Sequence, residues 1–200
     1  MTGEGSGTYL ELSLVTHHNP SQNVDSIMIL MAKGKIRLLQ ELPIIVNKYK
    51  KRGKTVGLIT GCFDILHIGH IELFQSAKSR VDILIVGVEN DETIKKSKGV
   101  NRPVNKQELR LRFLEAVEYI DYVFPVTDTF EYSNEREATR IHNHILNTIA
   151  PHYLITTKKA DKYWRNKEKR VEKFGVKLLD INYDKLNSTT KIVEHLLSEL

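Results

Sequence analysis

The segment GCFDILHIGH (residues 61–70) places two histidines around an Ile-Gly pair, directly after the apolar run TVGLIT (55–60). That run has the composition of a buried β-strand, and IELFQSAKS (71–79) after the histidines has the character of a helix. In open α/β sheets, ligands bind beyond the carboxyl ends of the strands. The segment therefore predicts a binding site between the first core strand and the first crossover helix.

Strand and helix segments continue to alternate on both sides of this motif. A helix that begins at Pro43 (43–52) precedes it, and the segments after it are the strands DILIVGV (82–88), DYVFPV (121–126), HYLIT (152–156) and VKLLDI (176–181), and helices over 105–117, 134–149, 162–174 and 188–200. Asn105 and Glu108 predict a capping box at the start of the helix 105–117. Continuous apolar strands suit a parallel sheet covered on both faces. The predicted fold is α/β, a doubly wound Rossmann-like parallel sheet with helices on both faces.

Bulk properties predict one compact domain with an extension. The Gly-rich start and the turn-forming residues that follow mark 1–30 as a partly flexible N-terminal extension, and 31–200 as the folded domain. Cys62 is the single cysteine, no apolar stretch approaches the roughly 20 residues that span a bilayer, and the N-terminus lacks a secretory pattern. We therefore expect a cytoplasmic protein with no membrane association.

The formal net charge of +5 is concentrated in KKADKYWRNKEKRVEK (158–173). Such a segment attracts polyanions such as nucleic acid, or it forms the solvated face of a helix. Aromatic residues are not interleaved through the whole run, so the solvated face is the preferred interpretation. Nucleic acid is not expected as a partner.

His67 and His70 are compatible with phosphate binding, with metal binding, or with no ligand. A helix that starts near His70 offers backbone N–H groups and a positive dipole end, and Gly69 leaves room for a phosphate to approach the backbone. Cys62 completes a C-x₄-H-x₂-H spacing that zinc could use, but catalytic zinc usually has three protein ligands in a dry cavity. The glycine serves phosphate better, so we predict no protein-bound metal site.

Taken together, these motifs resemble the cytidylyltransferase-like nucleotidyltransferase superfamily, whose signature is a strand, G-x-F-D and H-x-G-H. KGVNRPVN (98–105), EAVEYIDYVFPV (115–126) and NSTTKIVEHL (187–196) follow in the family order. The resemblance covers roughly residues 35–200. It implies that 31–200 is a nucleotidyltransferase domain.

The resemblance is strongest to the heptose-1-phosphate adenylyltransferase branch, the C-terminal domain of ADP-heptose synthases. The glycerol-3-phosphate cytidylyltransferase pattern is more distant, because it has an arginine five residues before Ser188, where Tyr183 stands here. ITTKKADKYW (155–164) departs from both branches, which have a Gly-rich or acidic G-D-x segment after the fourth strand. This departure leaves the second substrate open.

The resemblance implies direct transfer of AMP, or of CMP, from a nucleoside triphosphate to a small phosphorylated acceptor such as a sugar 1-phosphate, with release of pyrophosphate. It implies Mg²⁺ with ATP or CTP as substrate, and it leaves a homodimer open. The catalytic residues would be His67, His70 and Lys98. The nucleotide-binding residues would be Cys62, Phe63, Asp64, Gly69, Arg102, Ser188, Thr189 and Thr190.

Several of these residues also have simpler roles open to them. Ser188, Thr189 and Thr190 could only cap the last helix. Lys98 and Arg102 could lie on a solvated loop, Asp64 could orient its own loop, and Phe63 could belong to the core. The alternative functions are a glycerol-3-phosphate-type cytidylyltransferase and a non-catalytic nucleic-acid or polyanion-binding module on the same fold.

Overall fold

The computed structural model describes residues 34–182, together with Ile192, His195 and Ser198. A 3₁₀ helix, Leu39–Glu41, leads into the regular elements. The helices are α1 (Leu42–Lys50), α2 (Ile68–Lys78), α3 (Asp91–Lys98), α4 (Gln107–Glu115), α5 (Glu135–Ile149) and α6 (Trp164–Phe174). The strands are β1 (Val56–Gly61), β2 (Ile83–Val88), β3 (Tyr122–Pro125), β4 (Tyr153–Thr156) and β5 (Lys177–Asp180).

The described strands form one parallel sheet in the order β3-β2-β1-β4-β5. In the centre of the sheet, Leu58 of β1 is paired with Ile85 of β2 on one side and Leu154 of β4 on the other. The chain winds outward from β1 to β3 and then crosses to β4 on the other side of β1. The switch point therefore lies between β1 and β4, and the predicted doubly wound Rossmann-like fold is confirmed.

Two apolar clusters cover the two faces of the sheet. Successive strand residues point to opposite faces, so Ile59 packs with Leu73 of α2 and Leu114 of α4. On the other face, Leu58 packs with Val46 of α1 and Val171 of α6. Burial on both faces explains why β2 is apolar along its whole length, and it holds the carboxyl ends of β1 and β4 in fixed positions.

The start of α4 differs from the prediction. The helix begins at Gln107 after Lys106, whose side chain makes no cap, so the predicted capping box between Asn105 and Glu108 is wrong. The side chain of Asn105 instead donates to the carbonyl oxygen of Asp64 at 2.8 Å. The Gln107 N–H donates to the carboxylate of Asp91 at 2.8 Å. This tertiary contact takes the place of the local cap.

Some predictions fall outside the described residues. The N-terminal extension 1–30, Tyr183 and the segment with Ser188, Thr189 and Thr190 all lie there. Among the residues that are described, no helix is both long and apolar enough to cross a membrane.

Candidate functional site

A cavity of about 310 Å³ opens at the switch point, where β1 and β4 end. Its walls come from the end of β1, the start of α2, the end of α3 and the loop after β4. The lining includes Cys62, Phe63, Asp64, His67, His70, Lys98, Thr156, Thr157, Asp161 and Lys167. The structure thus brings the three predicted catalytic residues to one cavity.

Phe63 turns the chain sharply away from β1. Its φ of 49° lies in the left-handed region, which bulky residues rarely adopt. The side chain is buried and packs against Phe74, with ring centroids 5.4 Å apart. Its ring also meets His70 edge-on at 5.4 Å. Phe63 therefore supports the position of an imidazole as well as belonging to the core.

The imidazole rings of His67 and His70 stack on each other, with centroids 3.9 Å apart and planes at 24°. His67 is the N-cap residue of α2, and His70 is in its first turn. Gly69, between them, is buried. The first N–H groups of a helix have no partner within the helix and, with its dipole, favour an anion there. The two imidazoles therefore lie on one side of the helix start.

Asp64 ties the motif to the loop that follows α3. Its buried carboxylate accepts from Arg102 Nε at 2.7 Å and from the backbone N–H groups of Val104 (2.8 Å) and Asn105 (3.0 Å). The Arg102 guanidinium is thus ion-paired, and Arg102 does not line the cavity. Lys98, predicted on the loop, is the last residue of α3 and does line the cavity.

Arg110 is a structural residue of the site that the sequence analysis missed. Its side chain is fully buried and donates to the backbone oxygens of Cys62, Asn105 (2.9 Å) and Glu89 (2.7 Å), and to Asp91 Oδ1 at 2.8 Å. One guanidinium therefore joins the end of β1, the end of β2 and the loop before α4. The sequence signal that could have identified Arg110 is its position next to Leu111 on the buried side of a helix.

Cys62 faces a carboxylate. Its thiol donates to Glu89 Oε2 at 3.2 Å, and the Tyr132 hydroxyl donates to the other oxygen of the same carboxylate. Burial, and then the charge of Glu89, raise the pKa of the Cys62 thiol well above its ordinary value. A thiol held in its neutral form is a poor zinc ligand. Within the described part of the chain, no three His, Cys, Asp or Glu side chains are grouped to hold a metal ion.

Asp161 anchors the loop after β4, on the other side of the cavity. Its carboxylate accepts from Thr156 Oγ1 at 2.7 Å, from the Tyr163 N–H at 2.9 Å and from Lys167, whose Nζ lies at 2.8 Å. Burial alone raises the pKa of Asp161, but the charge of Lys167 and these hydrogen bonds together lower it below its ordinary value. The carboxylate is therefore ionised at neutral pH.

The basic segment 158–173 is only partly the solvated face that was predicted. Lys158 pairs with Glu168 at 3.1 Å, Lys167 pairs with Asp161, and Arg170 is buried. Lys167 lines the cavity, so part of the positive charge of the segment faces the site. Sequence reasoning missed Asp161 and Lys167 because nothing in the local pattern indicates that they line a cavity beside β1.

Comparison with known proteins agrees with this geometry. The model of the Cytidylyltransferase-like family matches residues 58–195. The chain belongs to this family. That assignment confirms the resemblance drawn from H-x-G-H, and it supports the prediction of a nucleotidyltransferase enzyme.

Individual relatives give the extent of the match. The chain is 34% identical over 165 residues to the bifunctional protein HldE of Sulfurimonas denitrificans, covering 82% of this chain and 31% of the relative. It is 35% identical over 163 residues to the bifunctional protein HldE of a Nitratiruptor species, covering 82% of this chain and 32% of the relative. The chain therefore spans about a third of the length of these relatives.

A solved structure supports the fold alone. The pantoate-beta-alanine ligase of Francisella tularensis superposes with a TM-score of 0.57 at 17% identity, over 84% of this chain and 79% of the ligase. This likeness concerns the doubly wound architecture only. The function therefore has to be argued from the site.

Proposed function

We propose that the protein is a nucleotidyltransferase that transfers AMP, or CMP, from a nucleoside triphosphate to a small phosphorylated acceptor. The observation that carries this proposal is the stacked pair His67 and His70 at the start of α2, beside a cavity at the switch point. A phosphate oxygen of the acceptor attacks the α-phosphorus, the bond to the β-phosphate oxygen breaks, and pyrophosphate leaves. No protein nucleophile takes part.

The site suits a reaction that depends on positioning and electrostatics. Negative charge accumulates on the phosphoryl oxygens in the transition state. His67 and His70 would donate hydrogen bonds to these oxygens, Lys98 would add a positive charge, and the first turn of α2 would add its N–H groups. Asp64 would act indirectly, because its contact with Arg102 holds the adjoining loop. Ser188, Thr189 and Thr190 stay predicted triphosphate ligands.

Mg²⁺ is the proposed companion of the triphosphate. The carboxylates of Asp64 and Asp161 that line the cavity are both ion-paired, so they form no ready ligand set. Mg²⁺ commonly keeps several waters and binds substrate phosphates. It would neutralise phosphate charge, and we assign no step of the reaction to a protein-bound ion.

The proposed nucleotide is ATP in preference to CTP, and the proposed acceptor is a sugar 1-phosphate. The support is comparative, because relatives named HldE match most of this chain and Tyr183 replaces the arginine of the glycerol-phosphate pattern. Tyrosine cannot reproduce the paired hydrogen bonds that a guanidinium gives to phosphate. A cytoplasmic location and a homodimer remain predictions.

The test offers ATP and CTP separately to the purified protein, each with heptose 1-phosphate and with glycerol 3-phosphate, and follows pyrophosphate with Mg²⁺ present. We expect ATP with the sugar phosphate to give the fastest release. If CTP with glycerol 3-phosphate turns over fastest, the branch is wrong and the reaction class stands. A steep loss of nucleic-acid affinity with salt, without pyrophosphate release from any pair, would instead favour a polyanion-binding module.

A further inference from the structure

A second cavity, of about 190 Å³, adjoins the first one. The two cavities share Thr60, Gly61, Cys62, Asp161 and Lys167 as lining residues, so both border the end of β1. The second cavity extends between α5 and α6, away from His67 and His70, which line only the first. Its additional walls include Tyr132, His142, Tyr163 and Arg170.

Arg170 places a cation in the wall of this second cavity. The residue is 8% exposed, and its Nε donates to Asn143 Oδ1 at 3.2 Å. Among the described residues, no carboxylate lies within ion-pair distance of its guanidinium, and the nearby Asp161 is already paired with Lys167. Burial lowers the pKa of Arg170 to about 10, so it stays charged at neutral pH. A buried cation is stabilised by an anionic partner, which a ligand could supply.

His142 contributes a hydrogen-bond acceptor to the same wall. Its Nδ1 lies 2.8 Å from the carbonyl oxygen of Ala138, and because a carbonyl only accepts, Nδ1 carries the proton. Burial, and then the charge of Arg170, lower the pKa of His142 to about 4, so the ring is neutral and Nε2 is an acceptor. A ligand hydroxyl is a suitable donor to such a nitrogen.

Part of the wall of the second cavity is aromatic. The rings of Tyr132 and Tyr163 stack with centroids 4.5 Å apart and planes at 15°. The Tyr132 hydroxyl is fixed by its hydrogen bond to Glu89. An apolar face beside a cation and a neutral acceptor suits the carbon skeleton of a small compound that carries hydroxyl and anionic groups.

We infer that this second cavity holds the part of the acceptor that lies beyond the attacking phosphate, and that Arg170 selects acceptors with a further anionic group, a carboxylate or a second phosphate. The inference rests on the proposed function, because it takes the first cavity as the nucleotide site. The attacking phosphate meets the α-phosphorus beside His67 and His70, while the second anionic group pairs with Arg170 and a hydroxyl donates to His142.

The test compares ligand pairs that differ by one anionic group. Glycerol 3-phosphate is paired with 3-phosphoglycerate for the carboxylate, and glucose 1-phosphate with glucose 1,6-bisphosphate for the second phosphate. Binding is measured by calorimetry with a non-hydrolysable ATP analogue present, on the wild type, Arg170→Gln and Arg170→Lys. Lys169→Gln, on an exposed neighbour in α6, is the matched control.

In the wild type and in Lys169→Gln, we expect the more anionic member of at least one pair to bind about tenfold more tightly or better. Arg170→Gln removes this preference and leaves binding of the ATP analogue intact, whereas Arg170→Lys keeps part of it. The pair that shows the preference identifies the anionic group. No preference in either wild-type pair, including no binding at all, overturns the inference, as does a preference that survives in Arg170→Gln. Nucleotide binding and pyrophosphate release are scored separately, so failure of the proposed function is distinguishable.

Discussion

The two loops that border the switch point, residues 62–67 between β1 and α2 and residues 157–163 between β4 and α6, are built in different ways. The first loop and the first turn of α2 hold two histidines three positions apart, so a short stretch of chain determines how their rings stack. The second loop depends on Asp161, which collects contacts from β4, from its own loop and from α6. Chemistry that depends on neighbours in the chain is therefore readable as a motif, whereas a pocket assembled from separate elements is not.

The two loops also differ in what holds them. The loop after β1 rests on the fully buried Arg110 and on the Asp64–Arg102 pair. The loop after β4 borders a cavity and carries the departure from the related branches. We therefore expect changes beneath the first loop to affect the fold and the reaction together, and changes beside the second to affect mainly ligand choice.

The largest expected effect is on the first loop. Arg110→Met removes the donor to the backbone oxygens of Cys62 and Glu89 and leaves buried acceptors without a partner. We expect the free energy of unfolding to fall by about 3–5 kcal/mol, measured by urea denaturation. Arg112→Met, on an exposed position of the same helix, should stay within about 0.5 kcal/mol of the wild type. A similar small loss in Arg110→Met would show that the first loop does not depend on this residue.

The second prediction concerns the wall of the second cavity. The pKa of His142 is about 4 in the folded protein against 6.5 for an unperturbed histidine, because burial and then the charges of Arg170 and Lys167 oppose its protonation more than Asp161 favours it. Between these two pH values the unfolded chain binds a proton that the folded chain does not. The free energy of unfolding should therefore fall as the pH falls from about 6.5 to about 4, by up to about 3 kcal/mol from this group.

Urea denaturation at a series of pH values checks the second prediction. His142→Gln should lack this part of the pH dependence, and His144→Gln, an exposed neighbour on α5, should retain it. Equal pH dependence in the wild type and in His142→Gln would mean that the buried ring does not resist protonation.

The same contrast between local and long-range contacts explains which features of the fold and the site can be predicted from the sequence. The apolar strands and their alternation with helices predict the doubly wound sheet, because burial on both faces requires such strands. The proximity of His67 and His70 has a local cause, since their spacing and the helix start lie in one short segment. The roles of Arg110, Asp161 and Arg170 could not be predicted from the sequence, because each residue acts across the fold and carries no local pattern. The wrong Asn105 cap has the same cause, a tertiary contact that replaces a local one.

The third prediction tests the local chemistry of the first loop. His67→Ala and His70→Ala should each reduce the rate of pyrophosphate release by about 10²-fold or more, as expected for loss of a donor to a developing oxyanion. Circular dichroism and the melting temperature should show that the fold is retained. His144→Ala serves as a control for a histidine outside both cavities. Unchanged rates in both variants, on folded protein, would remove the imidazole pair from the mechanism.

The smallest expected effect concerns Cys62, and it tests whether a residue that lies inside the motif also takes part in the chemistry. Cys62 lies between β1 and the histidines, yet its thiol is kept protonated by burial and by Glu89, to which it donates at 3.2 Å. Cys62→Ser preserves a donor to that carboxylate, so pyrophosphate release should change by no more than about fivefold, the effect of one ordinary hydrogen bond. Metal analysis of both proteins should find no stoichiometric zinc, and Mg²⁺ should restore full activity after chelation. One zinc per chain in the wild type, lost in Cys62→Ser, would instead make the thiolate and the two imidazoles a metal site and would reverse the assignment of the first loop to phosphate.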